Sequence, residues 1–216
     1  MVNVGRRACL KKRNMQHTIK AEGFGVRLRP VELDDAAFIV WLRNQHHARG
    51  NIGDSALDVS SQEQWLDEYF RRPGDYYFVV ESLSGSRVGT LGIYHADQTS
   101  AEAGRWIIIP TVPAAVPSAV LAGVVVFDIL KLTLFYSKVV STNQRTIALD
   151  TKLGMHQTHV ERAGLMIAGK PTDLIHLVSE ADEWPANRQR LLPFCAVAER
   201  RMRAWDQSHD DWKVPV

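Results

Sequence analysis

Only two cysteines, Cys9 and Cys195, occur in 216 residues, so no disulfide framework exists and a reducing cytoplasm suits the chain. No apolar run reaches the ~18 residues that would span a bilayer. The most apolar window, Ala114 to Leu134, is broken by Pro117, Gly123, Asp128 and Lys131 and reads as a buried helix. No glycine-flanked serine elbow is present, which argues against a serine nucleophile. The histidines show no metal spacing: His46 and His47 are adjacent and diverge, and His156 with His159 has no carboxylate or cysteine at ligand distance in sequence, so no metal is expected. Charge of one sign is lacking too, since 26 Lys and Arg stand against 24 Asp and Glu. Part of the small excess crowds into Arg6, Arg7, Lys11, Lys12 and Arg13, which lack the apolar core of a signal peptide. Residues 1–22 therefore read as a disordered basic tail. Arg188, Arg190, Arg200, Arg201 and Arg203 alternate with acidic residues, so the C-terminal segment reads as a solvated helix face and no nucleic-acid partner is expected.

What is present fits one domain of ordinary size, with 45% hydrophobic and 23% charged residues. Residues 24–30 alternate apolar and polar and predict a half-buried strand. Asp34 or Asp35 can cap a helix with Phe38, Ile39, Trp41 and Leu42 on its apolar face. A loop with Gly50, Asn51 and Gly53 follows. Ser61 and Gln64 have capping-box spacing for a second helix, which ends at Pro73-Gly74-Asp75. Three strand-like runs at 76–81, 87–95 and 104–109, joined by short turns, predict an antiparallel meander. The apolar helix then leads to a strand at 135–140, an order that favours parallel pairing across the crossover. Ser141 and Gln144 repeat the capping-box spacing, and Gly154 stands where a helix end needs a left-handed residue. Runs at 156–160 and 174–178 flank Gly169-Lys170-Pro171, and 191–205 predicts an added amphipathic helix. The expected fold class is α/β, a mixed, mostly antiparallel sheet flanked by helices.

The segment Phe127 to Met155, FDILKLTLFYSKVVSTNQRTIALDTKLGM, resembles the C-terminal half of the GNAT acyltransferases. The match carries Asn143, Ile147, Lys152, Leu153 and Gly154, with Met155 where phenylalanine is usual. VRLRPVELDD and WLRNQ are similar to the opening strand and first helix of the same family, and the likeness runs from about residue 24 to 184. It implies a GNAT domain over 23–184, a helical extension over 185–216, and transfer of an acetyl group from acetyl-CoA to an amine. Trp41-Leu42-Arg43-Asn44, Tyr77-Phe78 and Met166 to Trp184 resemble the nucleotide-sugar N-acetyltransferases of pseudaminic-acid-type pathways. The implied acceptor is an amino group on a nucleotide-linked amino sugar for surface polysaccharide. Protein N-termini and small amines remain alternatives, as does a GNAT-fold binding module without coenzyme A activity. A homodimer using a sheet edge or the C-terminal extension is compatible with the family.

The resemblance implies a site. The backbone of Ile107, Ile108 and Ile109 would pair with the pantetheine amides, though these residues also read as plain buried strand. The pyrophosphate would lie at Ala114, Ala115, Val116 and Ser118, where the family has a basic, glycine-rich turn. This chain has Pro110-Thr111-Val112-Pro113-Ala114-Ala115-Val116-Pro117-Ser118 instead, without Gly, Lys or Arg. Pro117 at the first helical position would remove a donor that is unpaired in any case. Asn143 would contact the cofactor arm or serve as a helix cap, a role open to Ser141 as well. Asp150 stands where the family has the acid that protonates the leaving thiolate; it is either that acid, given strong burial, or a solvated helix residue. His95 is a candidate base, ahead of Glu81 and Glu102. Trp41, Arg43, Asn44 and Tyr94 are the candidate acceptor-binding residues, with core packing the alternative for Trp41.

Overall fold

The computed structural model describes residues 16–49, 58–167 and 169–209. Cys9, the basic cluster at 6–13 and the Gly50–Gly53 loop lie outside them. An eight-stranded sheet has the order β1-β2-β3-β4-β5-β6-β8-β7. Its strands are β1 (Ala21–Gly23), β2 (Val26–Pro30), β3 (Tyr76–Ser82), β4 (Arg87–Tyr94), β5 (Ser100–Ile108), β6 (Leu134–Val140), β7 (His156–Ile167) and β8 (Lys170–Glu180). Every neighbouring pair is antiparallel except β5 and β6, which are parallel as the crossover order predicts. The sheet starts at Ala21, inside the segment expected as a tail. His17, just before it, is buried against Tyr76 and Phe78, with Nε2 3.3 Å from the Tyr77 carbonyl.

One face carries α1 (Ala36–Arg43), the short α2 (His46–Arg49) and α3 (Val59–Tyr69). The entry to α1 is a 3₁₀ turn, Leu33–Asp35, in which Glu32 and Asp35 form the capping box. Asp35 is buried because Arg29 binds it through two nitrogens, at 2.7 and 2.9 Å, and also binds Glu81 at 2.6 Å. This network fixes the turn to β2 and β3. The α3 cap is Asp58, whose carboxylate accepts from the Ser61 amide at 2.8 Å. Ser61 is thus the third helical residue rather than the cap, since aspartate one turn earlier satisfies the free amide as well.

The other face carries α4 (Ala115–Gly123), α5 (Gln144–Leu153) and α6 (Trp184–Ser208). The apolar stretch expected as one helix changes to a π-helical turn at Val124–Ile129, where the Leu130 amide reaches back to Val125 at 2.8 Å. Asp128 on that turn accepts from Trp184 Nε1 (3.1 Å) and Arg188 (2.9 Å). α6 is therefore anchored to the domain. Leu191, Cys195, Met202 and Trp205 are buried, and Asp206 accepts from Ser84 at 2.8 Å. A single amphipathic pattern cannot tell a docked helix from an appended one, because both bury a stripe. The start of α5 corrects a second cap: Asn143 Oδ1 accepts from the Thr146 amide, while Gln144 bonds the Ser141 carbonyl. Gly154 ends α5 at φ +104°, the left-handed value expected of it.

Candidate active site

The site begins where the sheet opens. β5 and β6 pair from Ser100–Ala103 to Leu134–Ser137 and, among the described residues, not beyond. Past that point β5 stays with β4 and β6 stays with β8. The cause is in β5: Arg105 takes φ +49°, and the β4–β5 register shifts between Thr90 and Gly92. A bulge of this kind bends its strand. The bulge is held from both sides. Thr90 Oγ1 donates to the Arg105 carbonyl at 2.8 Å, and the Arg105 guanidinium binds Asp75 at 2.5 and 2.8 Å among the rings of Trp65, Tyr77 and Tyr94. The resulting gap exposes one backbone edge of β5 to an extended ligand. Ile107 and Ile109 bury their side chains and Ile108 is half-buried, so these residues can offer backbone only. An extended ligand carrying amides can pair with such an edge as another strand would.

On the face of the helices α4 and α5, Asp150 stands beside the vertex of the gap. It is 5% exposed, and Ser137, the last β6 residue paired to β5, donates to its carboxylate at 3.2 Å. Burial pushes the Asp150 carboxyl up to about 7, with the Ser137 bond a smaller opposing cause. The expectation of a solvated helix residue is therefore corrected, because the inward turn of α5 cannot be read from its neighbours in sequence.

On the opposite face, three side chains gather on Glu102, which is buried at 7% exposure. Tyr94 donates to Oε1 at 3.1 Å, His95 Nδ1 lies 3.2 Å from Oε2, and Tyr136 is its register partner on β6, with its phenol pushed up by burial and then by Glu102. Burial, reinforced by Glu102, raises the Tyr94 phenol far above its ordinary range, so Tyr94 acts as a donor. Gly104 lets Tyr94 lie flat on β5, since a Cβ there would collide with the phenol ring and its hydroxyl. With Nδ1 donating to Glu102, His95 keeps Nε2 as an acceptor on an exposed ring. Sequence reasoning ranked Glu102 below His95; the signal it lacked is the register that puts Tyr94, Glu102 and Tyr136 in one row.

The other expected residues divide. Trp41 is half-buried and stacks on Phe38 with centroids 6.1 Å apart. Arg43 lies near Tyr77, where it counteracts the upward push of burial on that phenol. Asn44 uses its side-chain amide to cap α1, donating to the Val40 carbonyl at 2.9 Å. In the loop before α4, Ala115 and Val116 are half-exposed and lie in the first helical turn, where amides lack intrahelical acceptors. Ala114 is fully buried. Ser118 is withdrawn from any ligand: its amide donates to the Ala114 carbonyl, and its buried hydroxyl accepts from Trp106 and donates to Ala115. Pro117 is the third helical residue, not the first, but the missing donor is still one without a partner in the helix. Asn143 is occupied as a cap, with its side chain half-buried.

Residues 26–156 match the family profile described as an acetyltransferase (GNAT) domain. None of the curated proteins matches the chain by sequence. Among solved structures, a GCN5-related N-acetyltransferase from Brucella melitensis is 20% identical, with a TM-score of 0.73 over 85% of this chain and 88% of that one. A mutant form of the spermidine N-acetyltransferase SpeG from Vibrio cholerae is 21% identical with a TM-score of 0.68, covering 76% of this chain and 98% of that one. FdhC, described as a nucleotide-linked sugar GNAT, is 24% identical with a TM-score of 0.67, covering 83% and 98%.

Proposed function

The chain belongs to the GNAT acetyltransferase family and is on that ground an acetyl-CoA-dependent N-acetyltransferase; we propose that its acceptor is the amino group of a nucleotide-linked amino sugar, with His95 as base and Asp150 as acid. The observation that carries the assignment of roles is the pair of titratable groups on either face of the opened sheet. The acceptor amine attacks the thioester carbonyl carbon and passes a proton to His95 Nε2. Glu102 holds the His95 ring and stabilises the imidazolium that forms. The tetrahedral intermediate collapses with cleavage of the carbon–sulfur bond. Asp150, neutral in part at pH 7, gives its proton to the departing thiolate. An extended pantetheine arm laid along β5 orients the thioester toward that vertex.

The sugar acceptor is supported by the groups on the acceptor face. Trp41 offers a flat ring at the edge of α1, and Arg43 suits a phosphate. A polyamine needs a carboxylate for each ammonium, and Glu102 is already taken by Tyr94 and His95. Acetylation of a small amine is the second reading, favoured by the likeness in fold to SpeG. Calorimetric titration with acetyl-CoA, followed by thiol release with nucleotide amino sugars and with spermidine in parallel, separates the two. Saturable micromolar binding and turnover of the sugar is the expected result. Binding with turnover of spermidine alone refutes the sugar acceptor, and no binding up to millimolar cofactor by folded protein removes the enzyme reading.

A further inference from the structure

Charges of both signs alternate along the sequence of α6, but the fold sorts them. Leu191, Cys195, Met202 and Trp205 turn inward and are buried. Arg188 pairs with Asp128 at 2.9 Å, Arg203 pairs with Glu199 at 2.6 Å, and Asp206 accepts from Ser84. The remaining carboxylates, Asp182 and Glu183, stand at the amino-terminal end of the helix. Arg190, Arg200 and Arg201 are exposed, and none has an ion-pair partner among the described residues. Arg190 bonds the Asn187 side chain at 3.2 Å.

Helical spacing sets Arg190, Phe194, Val197 and Arg201 in one outward stripe. Phe194 is 61% exposed, more than any other large apolar side chain among the described residues, and Val197 is exposed as well. The stripe runs for about 16 Å at the rise of an α-helix. Because its inner side is sunk in the domain, α6 presents this stripe as a convex ridge rather than a groove. A second copy fits it badly. A two-fold axis between Phe194 and Val197 would set each Arg190 against Arg201 of the other copy, like charge against like. An anionic bilayer satisfies every group at once. Its headgroups neutralise the arginines, their aliphatic stems lie along the interface, and Phe194 and Val197 enter the acyl boundary.

We propose that the outer stripe of α6, from Arg190 to Arg201, docks the domain on an anionic lipid surface. The contact is peripheral, since no helix among the described residues is long and apolar enough to cross a membrane. It depends on the way α6 is seated and not on the acceptor or the acetyl donor.

The test is co-sedimentation of the full chain with vesicles of phosphatidylcholine alone and of phosphatidylcholine mixed with phosphatidylglycerol, at low and high salt. The variants are R200E/R201E, R200Q/R201Q and F194S, with R71E/K170E as a control that makes the same change of net charge at exposed positions outside α6. Thermal unfolding of each protein verifies its fold. The parent is expected to partition onto the mixed vesicles, not onto phosphatidylcholine, and to be released at high salt. R200E/R201E should lose at least about tenfold in partitioning, with R200Q/R201Q between it and the parent. F194S should lose several-fold at low salt, and the control should stay within about twofold of the parent. A folded parent that ignores the mixed vesicles overturns the proposal, as does an equal loss in R200E/R201E and the control. Binding of soluble poly-glutamate without binding of vesicles assigns the stripe to an acidic protein and overturns the bilayer.

Discussion

Replacing Asp150 by asparagine should make the protein more stable and less active, and the gain in stability should depend on pH. The carboxyl is 5% exposed, it accepts a hydrogen bond from Ser137, and its pKa is pushed from 3.8 to about 7. The folded state therefore holds a proton that the unfolded chain releases above pH 3.8. Stability is lost as pH rises between those two values and levels off above the folded one. A shift of about three units at 1.36 kcal/mol each sets a ceiling of about 4 kcal/mol. By pH 5 about 1.5 kcal/mol of this has been incurred, so the difference between pH 5 and pH 8 is about 2 to 3 kcal/mol. Asparagine has nearly the same shape, can accept from Ser137, and carries no charge. D150N should thus be more stable than the parent by about 2 to 3 kcal/mol more at pH 8 than at pH 5, a relative shift of about 1 M in the urea midpoint. Turnover should fall by about a hundredfold if the proton to the thiolate comes from this group, and the decline in parent kcat above pH 7 should be absent from the variant. Equal pH dependence of stability in the two proteins would show that the carboxyl ionises normally. Unchanged turnover with altered stability would remove Asp150 from the chemistry while leaving its burial intact.

His17 and α6 give two further expectations. His17 is pushed down to about 4, chiefly by desolvation, so the unfolded chain takes up its proton first and stability is lost as pH falls from 6.5 to about 4; the full window corresponds to at most about 3 kcal/mol, and H17F should flatten the acid limb of stability measured by urea unfolding between pH 7 and 4.5. Truncation after Glu183 exposes the surface that Leu191, Cys195, Met202 and Trp205 cover. At about 1.5–3 kcal/mol per buried side chain this approaches the whole stability of a domain, so the shortened chain should lack a cooperative thermal transition. A truncated protein that melts near the parent temperature would show that α6 is an appendage.

Patterns that depend on near neighbours were legible in the sequence. The alternation in β2, the turns of the β3–β5 meander and the apolar stretch of α4 each follow from side-chain period, and Gly154 follows from its freedom at positive φ. The crossover order alone implied the parallel β5–β6 pair. Caps were legible only to within a few residues, because Asp58 and Asn143 compete with serines that have equivalent chemistry.

The site itself was decided by contacts distant in sequence. Asp150 is ordinary for a helix until the fold presses it on Ser137 and removes water, which changes its charge near neutrality. Glu102 meets Tyr94, His95 and Tyr136 only through register across β4, β5 and β6. Ser118 looks available until Trp106 and Ala115 occupy its hydroxyl. The absence of glycine and of cations from the loop before α4 was plain in the sequence. The sequence determined which residues could carry charge, bend or pack. The tertiary structure decided which of them met and which lost their water, because desolvation and hydrogen bonding depend on neighbours brought together by the sheet.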